Sequence, residues 1–258
     1  MGRGINWKMK PTGNLIILSG PSCVGKGPLC NAVQKFYPEL YGNLYRLVLY
    51  NSRDRRPGER EGVDYYFRTR EEMEAMKDLD NFVLMEVRGD LQGLDTGQLL
   101  QVLKDGQDVL FEGNPFIPRA LWDLPQMSEV PMMKVFLSPV SRAEILWLKS
   151  QNADIHGTVV DAMRRKLLRR TQRQKGIISM KDLENIRQRS QSAPVELSLA
   201  WHFDWVISNH DGEDSENWTA FEYPVGDAFS TLQAFVSILQ GQEPSCRGER
   251  WEADLWPE

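Results

Sequence analysis

Hydrophobic and polar positions come in blocks along this chain. Residues 14–19, NLIILS, form a short apolar run that ends in glycine. Such a run suits a strand buried on both faces of a sheet. Downstream, Leu29, Val33 and Phe36 recur at spacings of four and three, as on one helix face. DVLFEG (108–113), MMKVFLS (132–138) and FDWVIS (203–208) are further strand candidates, with β-branched or aromatic content. Between and after them, helical patterns occupy 140–150, 159–174, 181–200 and about 225–240. Strands alternating with helices predict an α/β fold with a mainly parallel sheet covered on both sides.

Composition narrows the picture. The chain has 258 residues, 41% of them hydrophobic, enough for one substantial core. Its net charge of -5 argues against a polyanion as the partner of the whole surface. Charge is uneven, however: residues 164–189 hold ten Lys or Arg and two acids. A solvated helix face is one reading of that stretch; a segment that meets a small anion is the other. Nucleic acid is disfavoured, because its binders carry a broader basic footprint. No apolar run reaches the roughly 18–20 residues that span a bilayer. The N-terminal MGRGINWKMKP lacks a signal-peptide apolar core, and Asn6 stands where myristoylation wants Ser or Thr. Cys23, Cys30 and Cys246 show no metal or disulfide spacing. These features predict a reducing, cytoplasmic setting.

The chemistry begins at Gly20–Gly27, GPSCVGKG, between the first strand and the first helix. G-x-x-x-x-G-K in that context is a phosphate-binding loop. Gly20, Gly25 and Gly27 allow close backbone approach, so that the N–H groups of Ser22, Cys23 and Val24 can surround phosphate oxygens. Lys26 adds a full charge at the outer phosphates. Gly27 stands where the signature has a magnesium-binding Ser or Thr, and Pro28 follows. Mg²⁺ is therefore expected to be held by the nucleotide, water and an acid elsewhere, with Ser22 a candidate substitute. Cys23 reads as a small filler, although a thiol near a helix start can be activated.

A second cluster lies in Asn51–Phe67, NSRDRRPGEREGVDYYF. Planar guanidinium groups grip phosphate in bidentate fashion, and a tyrosine hydroxyl adds a neutral donor. Ser52-Arg53, Arg56-Pro57-Gly58-Glu59, Gly62, Asp64-Tyr65 and Phe67 fall at the spacings of T-R-x-x-R-P-G-E-x-x-G-x-D-Y-x-F. In this stretch the chain resembles the guanylate kinase family. The similarity continues through Glu112 of DVLFEG, Ile186-x-x-Arg189, Ala193-x-x-Glu196-Leu197 and FDWVISN, and covers about residues 13–240.

The resemblance implies a P-loop NTPase-type parallel sheet flanked by helices, with an acceptor-binding insertion and a helical lid. The expected organisation is one domain over 1–240, with core 13–47, 101–145 and 196–240, acceptor part 48–100 and lid 146–195. Residues 241–258 read as a polar tail carrying two exposed-type Trp. The resemblance puts Arg53, Arg56 and Tyr65 on the acceptor phosphate, with Glu59 orienting the arginines. It puts Glu112 near acceptor and metal, and Asn209 near the ATP base. The basic stretch becomes the lid: Arg169, Arg170 and Arg173 with Arg189 are its candidate catalytic arginines. The implied reaction is ATP·Mg²⁺-dependent phosphorylation of a nucleoside monophosphate, GMP first.

Base choice is where the chain departs from the family. Leu49 and Leu84 stand where the family has a hydroxyl and a glutamate that read guanine, and Gln92 replaces a tyrosine that touches phosphate. Glu86 and Thr96 are the expected substitutes, so the phosphate grip should persist with weakened base choice. Two alternatives stay open: a non-catalytic scaffold, and a kinase of another small phosphorylated acceptor such as a sugar. His156, His202 and His210 show no evident partner and read as structural.

Overall fold

The computed structural model describes residues 12–56, 58–244 and 247–257. The N-terminal segment, Pro57 and Cys246 lie outside the described residues, and with them the readings made on them. The chain divides into two compact units, Leu18–Gly42 with Lys134–Glu258, and Lys10–Ile17 with Asn43–Met133. Strand β1 (Leu15–Ser19) runs from the second into the first, and every residue of it is buried.

The unit around Asn43–Met133 holds β2 (Leu44–Arg46), β3 (Tyr50–Asn51), β4 (Tyr66–Phe67), α3 (Arg70–Ala75), β5 (Phe82–Val87), β6 (Asp90–Asp95), α4 (Thr96–Lys104), β7 (Asp108–Gly113) and α5 (Phe116–Trp122). Here β7 lies between β1 and β2, and β2 pairs parallel to it, Tyr45 opposite Val109. A separate sheet runs β4-β3-β6-β5. Its register sets Asn51 opposite Gln92 and Leu84 opposite Gly93. Leu99, Leu103, Phe111, Ile117 and Leu121 are buried, as the amphipathic pattern of α4 and α5 requires.

The other unit holds α1 (Lys26–Phe36), α2 (Pro38–Tyr41), most of β8 (Met132–Ser138), α6 (Arg142–Ser150), α7 (Ile155–Lys175), α8 (Met180–Leu197), β9 (Trp205–Ser208), α9 (Gly226–Leu239) and β10 (Gly248–Glu249). β8 lies between β1 and β9, with β10 on the outer side of β9. β8 and β9 are parallel, Leu137 opposite Ile207. The parallel strands therefore fall where the apolar runs predicted them. α7 and α8 pack along each other. Asp154 caps α7 by accepting from the N–H of Gly157, and a Ser179–Asp182 capping box starts α8. Gly176, at φ +74°, turns the chain between them.

The C-terminal segment corrects the expectation of two exposed-type tryptophans. Trp251, Leu255 and Trp256 are buried, and β10 adds an antiparallel strand to β9. Trp256 stacks on His156 of α7, and Arg142 of α6 pairs with Glu252. The polar residues between these anchors are what made the segment look like a tail.

Candidate functional site

The glycines of the 20–27 loop are imposed by packing as well as by φ. Gly20 sits at φ +145°, and a Cβ there would fall 2.3 Å from the carbonyl oxygen of Leu137. Gly25, at φ +106°, leaves 2.6 Å between such a Cβ and Asn209 Nδ2. The chain is thus drawn tight over the ends of β8 and β9 before it enters α1. No side chain caps α1, and no acid lies in its first turn. Its positive end therefore faces the loop with no acid of the helix itself to offset it. Lys26 is buried and donates to the carbonyls of Gly20 and Pro21 at 2.6 and 2.8 Å. Ser22 is half-buried, Val24 is buried, and Gly27 lies in the first helical turn. Cys23, at φ +69°, is fully buried. Burial, with Glu213 nearby, pushes its thiol up to about 12, so it is a filler and no nucleophile.

Asn209 is placed against the loop. Its Nδ2 donates to Val24 O at 2.8 Å and to Asp211 O at 2.7 Å, and its Oδ1 accepts from the N–H of Asp211. With both amide donors committed, this side chain braces the phosphate loop and has none left for a base. Trp218 closes the brace by donating Nε1–H to Asp211 O at 2.7 Å.

The cations of α7 gather on a loop that the sequence reading did not single out. Arg169 binds Asp214 at 2.7 Å, Arg170 binds Glu213 at 2.5 Å, and Arg173 binds Glu216 at 3.1 Å and Asp214 O. Lys166, buried, donates to His210 O, and burial lowers its pKa. Burial alone would raise Glu213; Arg170 and Lys26 beside it hold it below the usual carboxylate range, with a smaller contribution from half-buried Arg189. The signal was present as HDGEDSE (210–216), an acidic run that complements the basic stretch. The histidines are structural, as read, but not unpartnered. His210 bridges Asp227 at 2.5 Å and Glu144 at 2.9 Å, His156 meets Pro257 O, and His202 stacks on Trp201.

In the other unit, Arg53 and Glu59 form a bidentate pair at 2.7 and 2.5 Å. The second carboxylate oxygen also accepts the N–H of Arg56 at 2.9 Å. Arg53 lies 5.0 Å over the Tyr65 ring and 5.4 Å over Phe67. Burial pushes the Tyr65 phenol up, and Glu112 is among the charges that act on it. Glu112 itself sits 3.4 Å from Arg46. Arg56 Nη2 is buried without an acceptor among the described residues, a donor suited to an incoming anion. The structure thus gathers Arg53, Arg56, Glu59 and Tyr65, with Glu112 in the same unit.

Two expected substitutes are placed elsewhere. Glu86 is exposed on β5 and pairs with Arg70 at 3.0 Å. Thr96 is buried, and its hydroxyl donates to Asn81 O at 2.9 Å, tying α4 to the start of β5. Glu86 lies on the edge strand of its sheet, turned to solvent, and the helix start captures the Thr96 hydroxyl.

The described residues do not build a protein-held metal centre. Gly27 offers no oxygen ligand, and among the described residues no group of three His, Cys, Asp or Glu is placed to hold an ion. Cys23 and Cys30 are buried and form no disulfide. Among the described residues no helix is long and apolar enough to cross a membrane.

Comparison with known proteins gives one answer. The family model described as guanylate kinase matches residues 12–166. A guanylate kinase of Synechococcus sp. (strain JA-3-3Ab) is 34% identical over 216 residues, covering 82% of this chain and 83% of its own. That of Bacillus subtilis (strain 168) is 31% identical over 80% of this chain and 85% of its own. The crystal structure of guanylate kinase from Anaplasma phagocytophilum superposes with a TM-score of 0.54 at 20% identity, covering 93% of this chain and 92% of that one. That likeness bears on the fold.

Proposed function

Since this chain belongs to the guanylate kinase family, we propose that Lys26, the lid arginines and the Arg53–Tyr65 cluster serve one reaction, the conversion of GMP and ATP to GDP and ADP. The enzyme is a nucleoside-monophosphate kinase. The observation that carries the site assignment is Lys26, buried beneath a loop whose Gly20 and Gly25 no larger residue could replace. A phosphopeptide-binding scaffold on this fold has no use for that lysine, whereas phosphoryl transfer needs it at the outer phosphates.

In this reading the loop N–H groups and Lys26 hold the triphosphate. Arg53, Arg56 and Tyr65 hold the acceptor phosphate, with Arg53 aimed by Glu59. Arg169, Arg173 and Arg189 neutralise charge on the transferred group, which demands positioning and donors, with little covalent chemistry from the protein. Guanylate kinases use ATP with a divalent metal. We read that ion as Mg²⁺ brought by the nucleotide, given the lack of protein ligands. A cytoplasmic setting follows from the substrates and the free thiols.

Lys26→Ala tests the assignment. The side chain donates to loop carbonyls and packs into no apolar core, so the variant should keep the wild-type circular dichroism and lose ADP formation by at least about a hundredfold, the scale of a missing transition-state charge. Unchanged turnover in a folded variant refutes the assignment.

A further inference from the structure

Two carboxamides in the acceptor unit are oriented by the backbone and left with donors to spare. Asn51 Oδ1 accepts the N–H of Arg53 at 3.1 Å. A backbone N–H can only donate, so this contact fixes which end of the amide is oxygen. Nδ2 is left buried, and it has no acceptor among the described residues; Asn51 is 1% exposed. Across the β3–β6 pair stands Gln92, itself buried. Its orientation is fixed by a relay. Asn114 Oδ1 accepts the N–H of Phe116 at 3.0 Å, which turns Asn114 Nδ2 toward Gln92 Oε1 at 2.7 Å. Gln92 Nε2 is then the free end, and no described residue accepts from it.

Directly opposed residues of antiparallel strands share a face, with Cβ atoms about 4.5–5.5 Å apart. Asn51 also stands opposite Phe67 of β4, and Arg53 covers the Phe67 ring. The two amide donors therefore lie side by side on the face that carries the acceptor arginine. Asn51 Nδ2 and Arg56 Nη2 are buried donors without an acceptor, and Gln92 Nε2 beside them is a donor too, so the ligand that satisfies them presents acceptor atoms. A guanine pocket also needs acceptors for the ring N–H and amino groups, and these amides supply none, because both of their oxygens are already engaged.

Resting on the kinase reading above, we infer that Asn51 and Gln92 form a neutral, donor-only extension of the acceptor-phosphate site, so that this enzyme holds its acceptor chiefly by the phosphate monoester and only weakly by the base. The substrate class is correspondingly a nucleoside monophosphate in which the phosphate dominates recognition, and free phosphate competes for the site.

The test is binding to the full chain without ATP, by calorimetry, of GMP, guanosine and inorganic phosphate. Asn51→Asp keeps the oxygen that accepts from Arg53 and replaces the donor with a negative charge. Gln92→Glu does the same toward Asn114, and carries the test should Asn51→Asp not fold. GMP binding and competition by phosphate should each weaken at least about tenfold, with guanosine and ATP binding within twofold of wild type. GMP binding unchanged in both folded variants would make the amides purely structural and overturn the inference. Loss of guanosine binding with phosphate competition intact would make them base readers and also overturn it. Binding is read apart from turnover, so a wild-type protein that binds GMP without phosphorylating it would count against the kinase reading alone.

Discussion

Both carboxylate oxygens of Glu59 are committed, one to Arg53 and the other shared between Arg53 and the N–H of Arg56. That geometry holds a long, flexible guanidinium in one orientation before any ligand arrives. Glu59→Gln removes the charge and one acceptor while conserving volume. The KM for the acceptor should rise about tenfold or more, as for loss of a charge-assisted hydrogen bond, with the KM for ATP unchanged. Steady-state kinetics with each substrate varied in turn reads both. An equal rise in both constants would mean that Glu59 maintains the unit as a whole. This pairing was legible in the sequence from the R-x-x-R-P-G-E spacing. Asn209 was legible only as a position: its type fits a base contact or a loop brace equally well, and only the carbonyls of Val24 and Asp211 decide between them.

At the scale of elements, the 210–216 loop acts as an internal counter-ion for α7. Glu213 holds Arg170, Asp214 holds Arg169, and Lys166 lies among them. Because the folded-state pKa of Glu213 lies below its ordinary 4.5, its contribution to stability is complete above that value. It is lost as pH falls through the lower folded value. Thermal melts should therefore show wild type losing more stability than Glu213→Gln between about pH 5 and pH 3. Parallel pH profiles would contradict the clamp. The elements themselves were readable because their signals are local: β1 and β8 are apolar runs, and α6 and α8 begin at Ser capping boxes. The short strands β3 and β4 were not. Two residues each carry no periodicity, and what defines them is pairing with β6 and with each other.

For the whole chain, the C-terminal residues are part of the fold. Trp251, Leu255 and Trp256 are buried, and His156 stacks on Trp256. Trp251 and Leu255 stand four apart, but one such pair among polar residues does not mark a core face; the anchoring is tertiary. Trp256→Ala should cost about 3–5 kcal/mol, as for a large buried aromatic, read by urea denaturation with an unchanged m value. A cost below about 0.5 kcal/mol, the range of surface substitutions, would mean the segment is merely laid against the surface.

The account as a whole holds that this chain transfers phosphate from ATP to a nucleoside monophosphate gripped chiefly by its phosphate. The exposed Glu86 and the committed Thr96 leave the base with apolar neighbours such as Leu49 and Leu84 in the reader positions, and apolar contacts discriminate by only about 10–200-fold. The most direct measurement is coupled ADP release with ATP against GMP, dGMP, AMP, UMP and CMP. Acceptor-dependent turnover is predicted, highest with GMP and within about two hundredfold for at least one other base. ATP binding without ADP release for any acceptor would contradict the account.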